Sequence, residues 1–464
     1  MSAPGQDRSA QSDNPERLTA SVVRGSRAVK PGRILRTLSS LPYLALSRNL
    51  DIEGVKEARK RLLALWDCRL PAMPAMLRDD EAAGLLGAAV AAADGRVLSA
   101  RPVQATWRPG KSLCVTYHAA VAWNGNVRTA ERFVAATGER LPEGALRLAR
   151  DDEEVAVWRM NDDPGLPGLA IATSPEHIRE LLVGLGVLGG PLATPVRSYR
   201  PGRRAVVEVV GGGVRLFLKI LPPGQVAELQ ERHNLLSQHL PVPRSHGWLS
   251  EYGLVVLEAL PGETLRDSLR GRVRRLPAAA AFVDLLDRMP PLLDGRVSPS
   301  PLASVPDYAL LLCSLLPELA ERVQRLQEAL CVAGPSFPAV SVHGDFHEAQ
   351  VLIREGDVVG LLDIDSVGIG CRIDDWATMI GHLAAWRLSA VGDARLQVER
   401  FTRDVTAAAE EDSGQPAELR RRVAAVLIGL ATGPFRAQTR TWPADTRARV
   451  GLAERWLAEV ESAA

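Results

Sequence analysis

A chain of 464 residues is long enough for two or three compact domains, each with its own core. Lys and Arg number 56 against 55 Asp and Glu, a net charge of +1, so charge supplies no drive toward nucleic acid or an anionic membrane. No run reaches the roughly 18–20 apolar residues that span a bilayer. The five cysteines are scattered, with no Cys-x-x-Cys pair, which predicts reduced thiols of a cytoplasmic protein rather than a disulfide framework or a zinc site. Nearly all basic residues are Arg; the lysines are Lys30, Lys56, Lys60, Lys111 and Lys219.

In chain order, residues 1–30 are polar and read as a disordered lead-in without an apolar signal core. Residues 31–190 read as an N-terminal, cap-like α/β domain, helical from about 35 to 100. Within it, Ala105-Thr-Trp-Arg-Pro-Gly-Lys-Ser leads into a strand-like run over 113–121, an Asn124-Gly125-Asn126 turn and a strand to about Phe133. The pattern returns at Arg197-Ser-Tyr-Arg-Pro-Gly-Arg-Arg, followed by strands over 205–210 and 214–220 around Gly211-Gly212-Gly213. Two aromatic-Arg-Pro-Gly loops, each opening a hairpin, suggest a duplicated β unit, with a chance echo as the alternative. Residues 191–262 then form an antiparallel β unit with one helix, and 263–464 are mainly helical, an α+β arrangement with a cleft at the junction.

The most informative stretch is Val342-His343-Gly344-Asp345-Phe346-His347-Glu348-Ala349-Gln350, followed by Gly360-Leu361-Leu362-Asp363-Ile364-Asp365. Apolar runs flank a tight Gly-containing loop, and a hairpin over 354–358 returns a strand that ends in Asp363. Asp345 and Asp363 therefore converge at the ends of adjacent strands, and Gln350 closes the same loop. Phosphoryl transfer needs such a set: the protein positions a nucleophile and neutralises phosphate charge with Mg2+. A hard cation takes oxygen ligands, here the Asp363 carboxylate and the Gln350 carbonyl. A separate carboxylate, Asp345, meets the acceptor hydroxyl and takes its proton.

These two stretches resemble the His-Gly-Asp-x-x-x-x-Asn loop and following metal-binding Asp of the aminoglycoside phosphotransferase superfamily. The resemblance implies a protein-kinase-like bilobal fold, a small antiparallel β lobe plus a large helical lobe. It implies Asp345 as catalytic residue, Gln350 and Asp363 as metal ligands, and Asp375 as the residue that orders the loop. Gln350 stands where Asn is usual, and His-Gly-Asp-x-His-x-x-Gln is similar to maltokinase-like sugar kinases. Lys219, on the alternating strand Val214-Arg-Leu-Phe-Leu-Lys-Ile, is implied as the lysine for the ATP phosphates. Its implied partner is Glu231, with Glu228 as rival; the loop 199–205 would cover the phosphates and Glu258-Ala259-Leu260 would meet adenine. The expected activity is ATP- and Mg2+-dependent transfer to a hydroxyl of a small molecule such as a sugar, amino sugar or aminoglycoside. A nucleotide-binding pseudokinase or a regulatory interaction protein is the alternative.

Four further features have plainer readings. His343 and His347 have a zinc-like spacing, but the intervening Gly344 and the strand beyond favour His343 as a brace for its loop. Arg108-Pro-Gly-Lys-Ser ends like a phosphate-binding loop, yet a strand follows it where a helix is required. Asp365 reads equally as a third ligand or a loop cap. Only eleven residues separate Asp363 from Asp375, too few for the segment on which protein kinases rest a peptide.

Overall fold

The computed structural model describes residues 52–91, 93–124, 127–150, 153–183, 190–271, 275–291 and 296–461, so the lead-in expected over 1–30 lies outside it. The helices Ile52–Ala64, Met73–Leu77 and Asp79–Ala91 come first. An antiparallel sheet follows: β1 (Arg96–Arg108), β2 (Ser112–Trp123), β3 (Val127–Gly138), β4 (Leu146–Arg150) and β5 (Glu153–Arg159), in the order β1-β2-β3-β5-β4. Strand β2 shows why: Leu113, Val115, Tyr117, Ala119 and Val121 alternate onto one buried face. Ala82, Leu86 and Val90 form a helical stripe at four-residue spacing in the same core, on the helix that lies along β1. The helical pattern expected to reach 100 ends at Ala91, and β1 includes Ala105 to Arg108, expected as loop.

The second sheet comprises β6 (Leu192–Ala193), β7 (Val196–Arg200), β8 (Arg204–Gly211), β9 (Val214–Ile220), β10 (Ser245–Leu249) and β11 (Leu254–Glu258). Its order is β10-β11-β9-β8-β6, with β7 also on β8. Strand β9 is central, and Lys219 sits opposite Val206 and Val255. Leu216, Leu218 and Ile220 join Val134, Trp158, Leu166 and Leu169 of the N-terminal unit in one core. The alternation that buries those three leaves Lys219 on the opposite face, toward the helical region. The N-terminal unit thus backs the sheet that presents Lys219.

The sequence echo has a structural counterpart. Asp67 accepts hydrogen bonds from the Gly110 N–H (2.6 Å), the Trp107 Nε1 (3.1 Å) and the Arg69 N–H (3.0 Å). Asp163 accepts from the Gly202 N–H (2.8 Å), the Tyr199 hydroxyl (2.6 Å) and the Gly165 N–H (2.8 Å). Each aspartate opens an Asp-x-x-Leu-Pro segment and clamps the aromatic and the glycine of one aromatic-Arg-Pro-Gly turn. The same polar clamp around both turns favours duplication over chance. Asp163 is buried, so Asp163→Ala leaves these donors without partners and is expected to cost about 1–3 kcal/mol in urea denaturation. A change below about 0.5 kcal/mol, the size of a neutral surface substitution, would contradict the clamp.

Beyond β11 lie β12 (Glu263–Thr264), β13 (Val340–Val342), β14 (Val351–Arg354), β15 (Asp357–Leu361) and β16 (Gly368–Gly370). Strands β12, β14 and β15 form one small sheet, and β13 pairs with β16. Around them stand the helices Arg372–Arg387, Gly392–Ser413, Pro416–Ala431 and Trp442–Glu461. Phe346 anchors the loop after β13 edge-on to Phe282 (6.0 Å) and Trp376 (6.4 Å). Trp376 and Trp442 are fully buried. The small antiparallel lobe and the large helical lobe give a kinase-like bilobal architecture. Trp107 also packs 6.4 Å from Phe435, so the N-terminal unit touches both lobes. Among the described residues, no helix is long and apolar enough to cross a membrane.

Candidate active site

The loop after β13 is held by its backbone. Gly344 has φ +77°, and a Cβ there would lie 2.4 Å from both the Ser298 Oγ and the Ser366 carbonyl, so only glycine fits. Asp375 accepts from the N–H groups of His343 (2.7 Å) and Gly344 (2.8 Å). The Asp345 N–H donates to His343 Nδ1 (3.3 Å), which leaves the proton on Nε2 to donate to the Leu362 carbonyl (2.9 Å). His343 therefore ties the Asp345 loop to the strand end bearing Asp363; it braces and does not ligate. The Gln350 carbonyl accepts from the Leu362 N–H (2.8 Å), closing the same junction.

Burial pushes the Asp375 carboxyl from 3.8 up to about 6, against the opposing pull of His343 and the two N–H groups. A carboxyl raised in the fold favours folding in its protonated form. That contribution is complete below the unfolded value of 3.8 and fades as pH rises through about 6. Relative to Asp375→Asn, the wild type is therefore expected to lose stability between about pH 4 and 7 in urea denaturation. A difference that stays constant across that range would contradict burial as the dominant influence.

The second half of the site gathers around Asp363, whose backbone is left-handed (φ 58°, ψ 50°). Lys219 Nζ lies 2.8 Å from Asp363 and 2.5 Å from Asp365. Arg204 reaches the same two carboxylates at 2.8 and 2.9 Å. Burial alone would raise the Asp363 carboxyl, but Lys219 and Arg204 outweigh it and hold it well below the usual carboxylate range. The Gln350 amide stands 3.4 Å from Asp363 and 3.3 Å from His347 Nε2. The Ala349 N–H donates to His347 Nδ1 (3.2 Å), so Nε2 carries the ring proton and calls for an acceptor. As placed, the amide donates to Asp363; turned over, it would offer its oxygen to His347 Nε2 and beside the Asp363 carboxylate, two oxygens of the kind a hard cation takes. The donor set fits Mg2+.

Two expectations need correction. Glu231 does not meet Lys219: it lies on the exposed face of the helix Val226–Leu236, which turns Leu229, Arg232, His233 and Leu236 inward. Glu228 is taken by Arg232 (2.5 Å) and Arg296 (2.9 Å). Arg232 instead donates to the Asp365 carbonyl (3.1 Å). Asp365, left open between ligand and cap, shares both cations with Asp363. Glu258 uses its carboxylate on the Arg244 N–H (2.9 Å) and its own N–H on the Arg244 carbonyl (3.0 Å). Leu260, just past the end of β11, is half-buried toward Gly360.

Asp345 lines a cavity of about 310 Å3 that Gln350, Asp363 and Lys219 do not line. One wall is a pair of imidazoles, His347 and His382, stacked 4.2 Å apart and 6° from parallel. Beneath them the fully buried Glu348 is held by Arg266 (2.5 Å). Burial pushes His382 down to about 3, so this ring is neutral. Asp345, His347 and His382 bring ligand atoms within 4.8 Å of one another. Lone pairs of parallel stacked rings do not converge on one ion, so this group is a cavity wall rather than a chelate. His382, Arg204 and the Asp163 clamp carried no local sequence signal, because their partners lie about 35 to 160 residues away in the chain.

Residues 196–410, just under half of the chain, match the family described as Phosphotransferase enzyme family, APH. An uncharacterized protein of Deinococcus radiodurans is 27% identical over 242 residues, covering 47% of this chain and 66% of the relative, just under two thirds of its length. Among solved structures, a putative aminoglycoside phosphotransferase from Ralstonia eutropha is 15% identical, with TM-score 0.43 and coverage of 62% and 98%. The gentamicin complex of APH(2")-IIa is 13% identical, with TM-score 0.42 and coverage of 60% and 95%.

Proposed function

We propose that this phosphotransferase moves the γ-phosphoryl group of ATP to a hydroxyl of a small molecule held in the cavity beside Asp345. The observation that carries the reading is what the loop brings together. Asp345 lines the cavity, and Gln350, Asp363 and Lys219 stand together nearby, with His347 Nε2 3.8 Å from Asp345 and 3.3 Å from the Gln350 amide. Asp363 and Gln350 would hold Mg2+, which neutralises charge on the phosphates. Lys219 and Arg204, now on the carboxylates, are the cations that phosphates would draw away. The acceptor oxygen forms its bond to the γ-phosphorus, the bond from that phosphorus to the bridging oxygen breaks, and ADP leaves with the electron pair. The hydroxyl proton passes to Asp345.

A coupled ADP-release screen against sugars, amino sugars, aminoglycosides and choline-like alcohols tests the reading, with the Asp345→Asn protein as blank. Acceptor-dependent ADP release above the blank supports it. ATP-dependent thermal stabilisation without turnover would favour a nucleotide-binding pseudokinase, and indifference to ATP and Mg2+ would favour an interaction protein. Gln350→Asn, which keeps the carbonyl on a shorter stem, is expected to retain at least about 10-fold more activity than Gln350→Ala. The reverse order in steady-state assays would remove the ligand role.

A further inference from the structure

The charge of the cavity narrows the acceptor, given the phosphotransferase reading above. Three aspartates line it, and two are already engaged. Asp374 is held by Arg422 (2.5 Å) and the Ser300 hydroxyl (3.1 Å), and Asp375 by two backbone N–H groups. Asp345 alone remains open, and its role is to take a proton. The cations differ. Arg200 enters from the end of β7, and Arg436 from the helix Gly433–Arg436. Among the described residues, neither guanidinium has a hydrogen-bond or ion-pair partner.

These two cations also burden their surroundings. Partial burial and the charges of Arg204 and Arg436 lower Arg200, while Asp345 and Asp363 pull it the other way, and its side chain stays exposed at the cavity. Arg449, close to Arg436, is lowered by burial and by the charge of Arg436, with Asp445 opposing. What the two exposed guanidinium groups lack is a direct hydrogen-bonding partner, and an anion in the cavity would supply one. Guanidinium groups meet carboxylates and phosphates through paired, charge-assisted hydrogen bonds. A polycationic acceptor would add to the repulsion. The volume, near the lower end of the ~300–1,000 Å3 usual for ligand sites, suits a molecule of one or two sugar rings.

We propose that the acceptor carries an anionic group, a carboxylate or a phosphate ester, held by Arg436 and Arg200 while its reacting hydroxyl faces Asp345. The stacked His347 and His382 form the opposite wall, against which the body of the acceptor lies.

The full chain with Mg2+ and ADP would be titrated with glucuronate, glucose 6-phosphate, glucose and glucosamine. At least one of the two anions is expected to bind about 10-fold more tightly than glucose and glucosamine. Which anion it is separates carboxylate from phosphate recognition. Arg436→Gln, at an exposed position, should abolish the preference while leaving ADP affinity unchanged, which also shows that the variant folds. Glucose or glucosamine binding as tightly as both anions would overturn the proposal. So would absence of anion binding, or a preference that survives Arg436→Gln. ATP binding by the same preparation is read separately: its absence would sink the phosphotransferase reading itself, whatever the anions do.

Discussion

Asp345→Asn is expected to lower kcat by about 10²–10⁴-fold while nucleotide affinity stays within about twofold of wild type. The substitution keeps the shape of the side chain and its place at the cavity but removes the proton acceptor. Its neighbours offer no substitute. His347 Nε2 is 3.8 Å from the Asp345 carboxylate, beyond hydrogen-bond range, and carries a proton in the bonding pattern described. Asp375 is spent on the loop backbone. Because Asp345 lines the cavity and, among the described residues, makes no hydrogen bond or ion pair to Lys219 or Asp363, ADP binding should not register the change. Steady-state turnover with parallel nucleotide titration checks both halves. A variant with wild-type turnover would remove Asp345 as the base, and a parallel collapse of nucleotide binding would mean that it serves the phosphates.

Asp363→Ala is expected to act on the opposite quantity. Without that carboxylate the cation keeps a single amide ligand, and Mg2+ should cease to improve ATP binding. A loss of about 2–3 kcal/mol, or ~30–150-fold in affinity for the Mg2+ complex, is the size of a charge-assisted contact. Metal-free ATP should be spared, because Lys219 and Arg204 lose the partner that competes with phosphate for them. Calorimetric titration with ATP in the presence of Mg2+ and of a chelator distinguishes the two. Equal enhancement by Mg2+ in wild type and variant would place the metal elsewhere.

The contrast between these two variants follows from how the loop folds. His343 bonds forward to the Leu362 carbonyl, Gln350 bonds through its carbonyl to the Leu362 N–H, and Asp375 holds the start of the turn. One short segment thereby fixes the places of both side chains.

That local character explains what was legible in the chain. Asp345, Gln350 and Asp363 sit on a loop and hairpin whose turn residues and apolar flanks are contiguous, so their meeting follows from strand geometry. Lys219 was visible because alternation on β9 places it opposite Leu218 and Ile220 in facing, and because lysine is rare in this chain. The partner of Lys219 was not legible. Glu231 and Arg232 are adjacent, and which of them turns inward depends on the rotation of one helix against the sheet, fixed by Leu229, His233 and Leu236. Arg204 and Asp365 meet across the two lobes, 161 positions apart. The paired Asp67 and Asp163 clamps show the same limit: the repeated turns could be read, whereas the residues that hold them are about 40 positions upstream.

The N-terminal unit enters the account through Asp163. By fixing Tyr199 and Gly202, it sets the turn that joins Arg200, at the end of β7 and lining the cavity, to Arg204, at the start of β8 and bonded to Asp363.

Diffraction from crystals grown with Mn2+ and a non-hydrolysable ATP analogue, recorded for the anomalous signal of manganese, tests the central claim most directly. A manganese peak coordinated by both the Asp363 carboxylate and the Gln350 amide oxygen, at about 2.0–2.3 Å, with Asp345 outside its coordination sphere, is the predicted result. Manganese bound by Asp345 in place of Asp363, or by neither Gln350 nor Asp363, would contradict it.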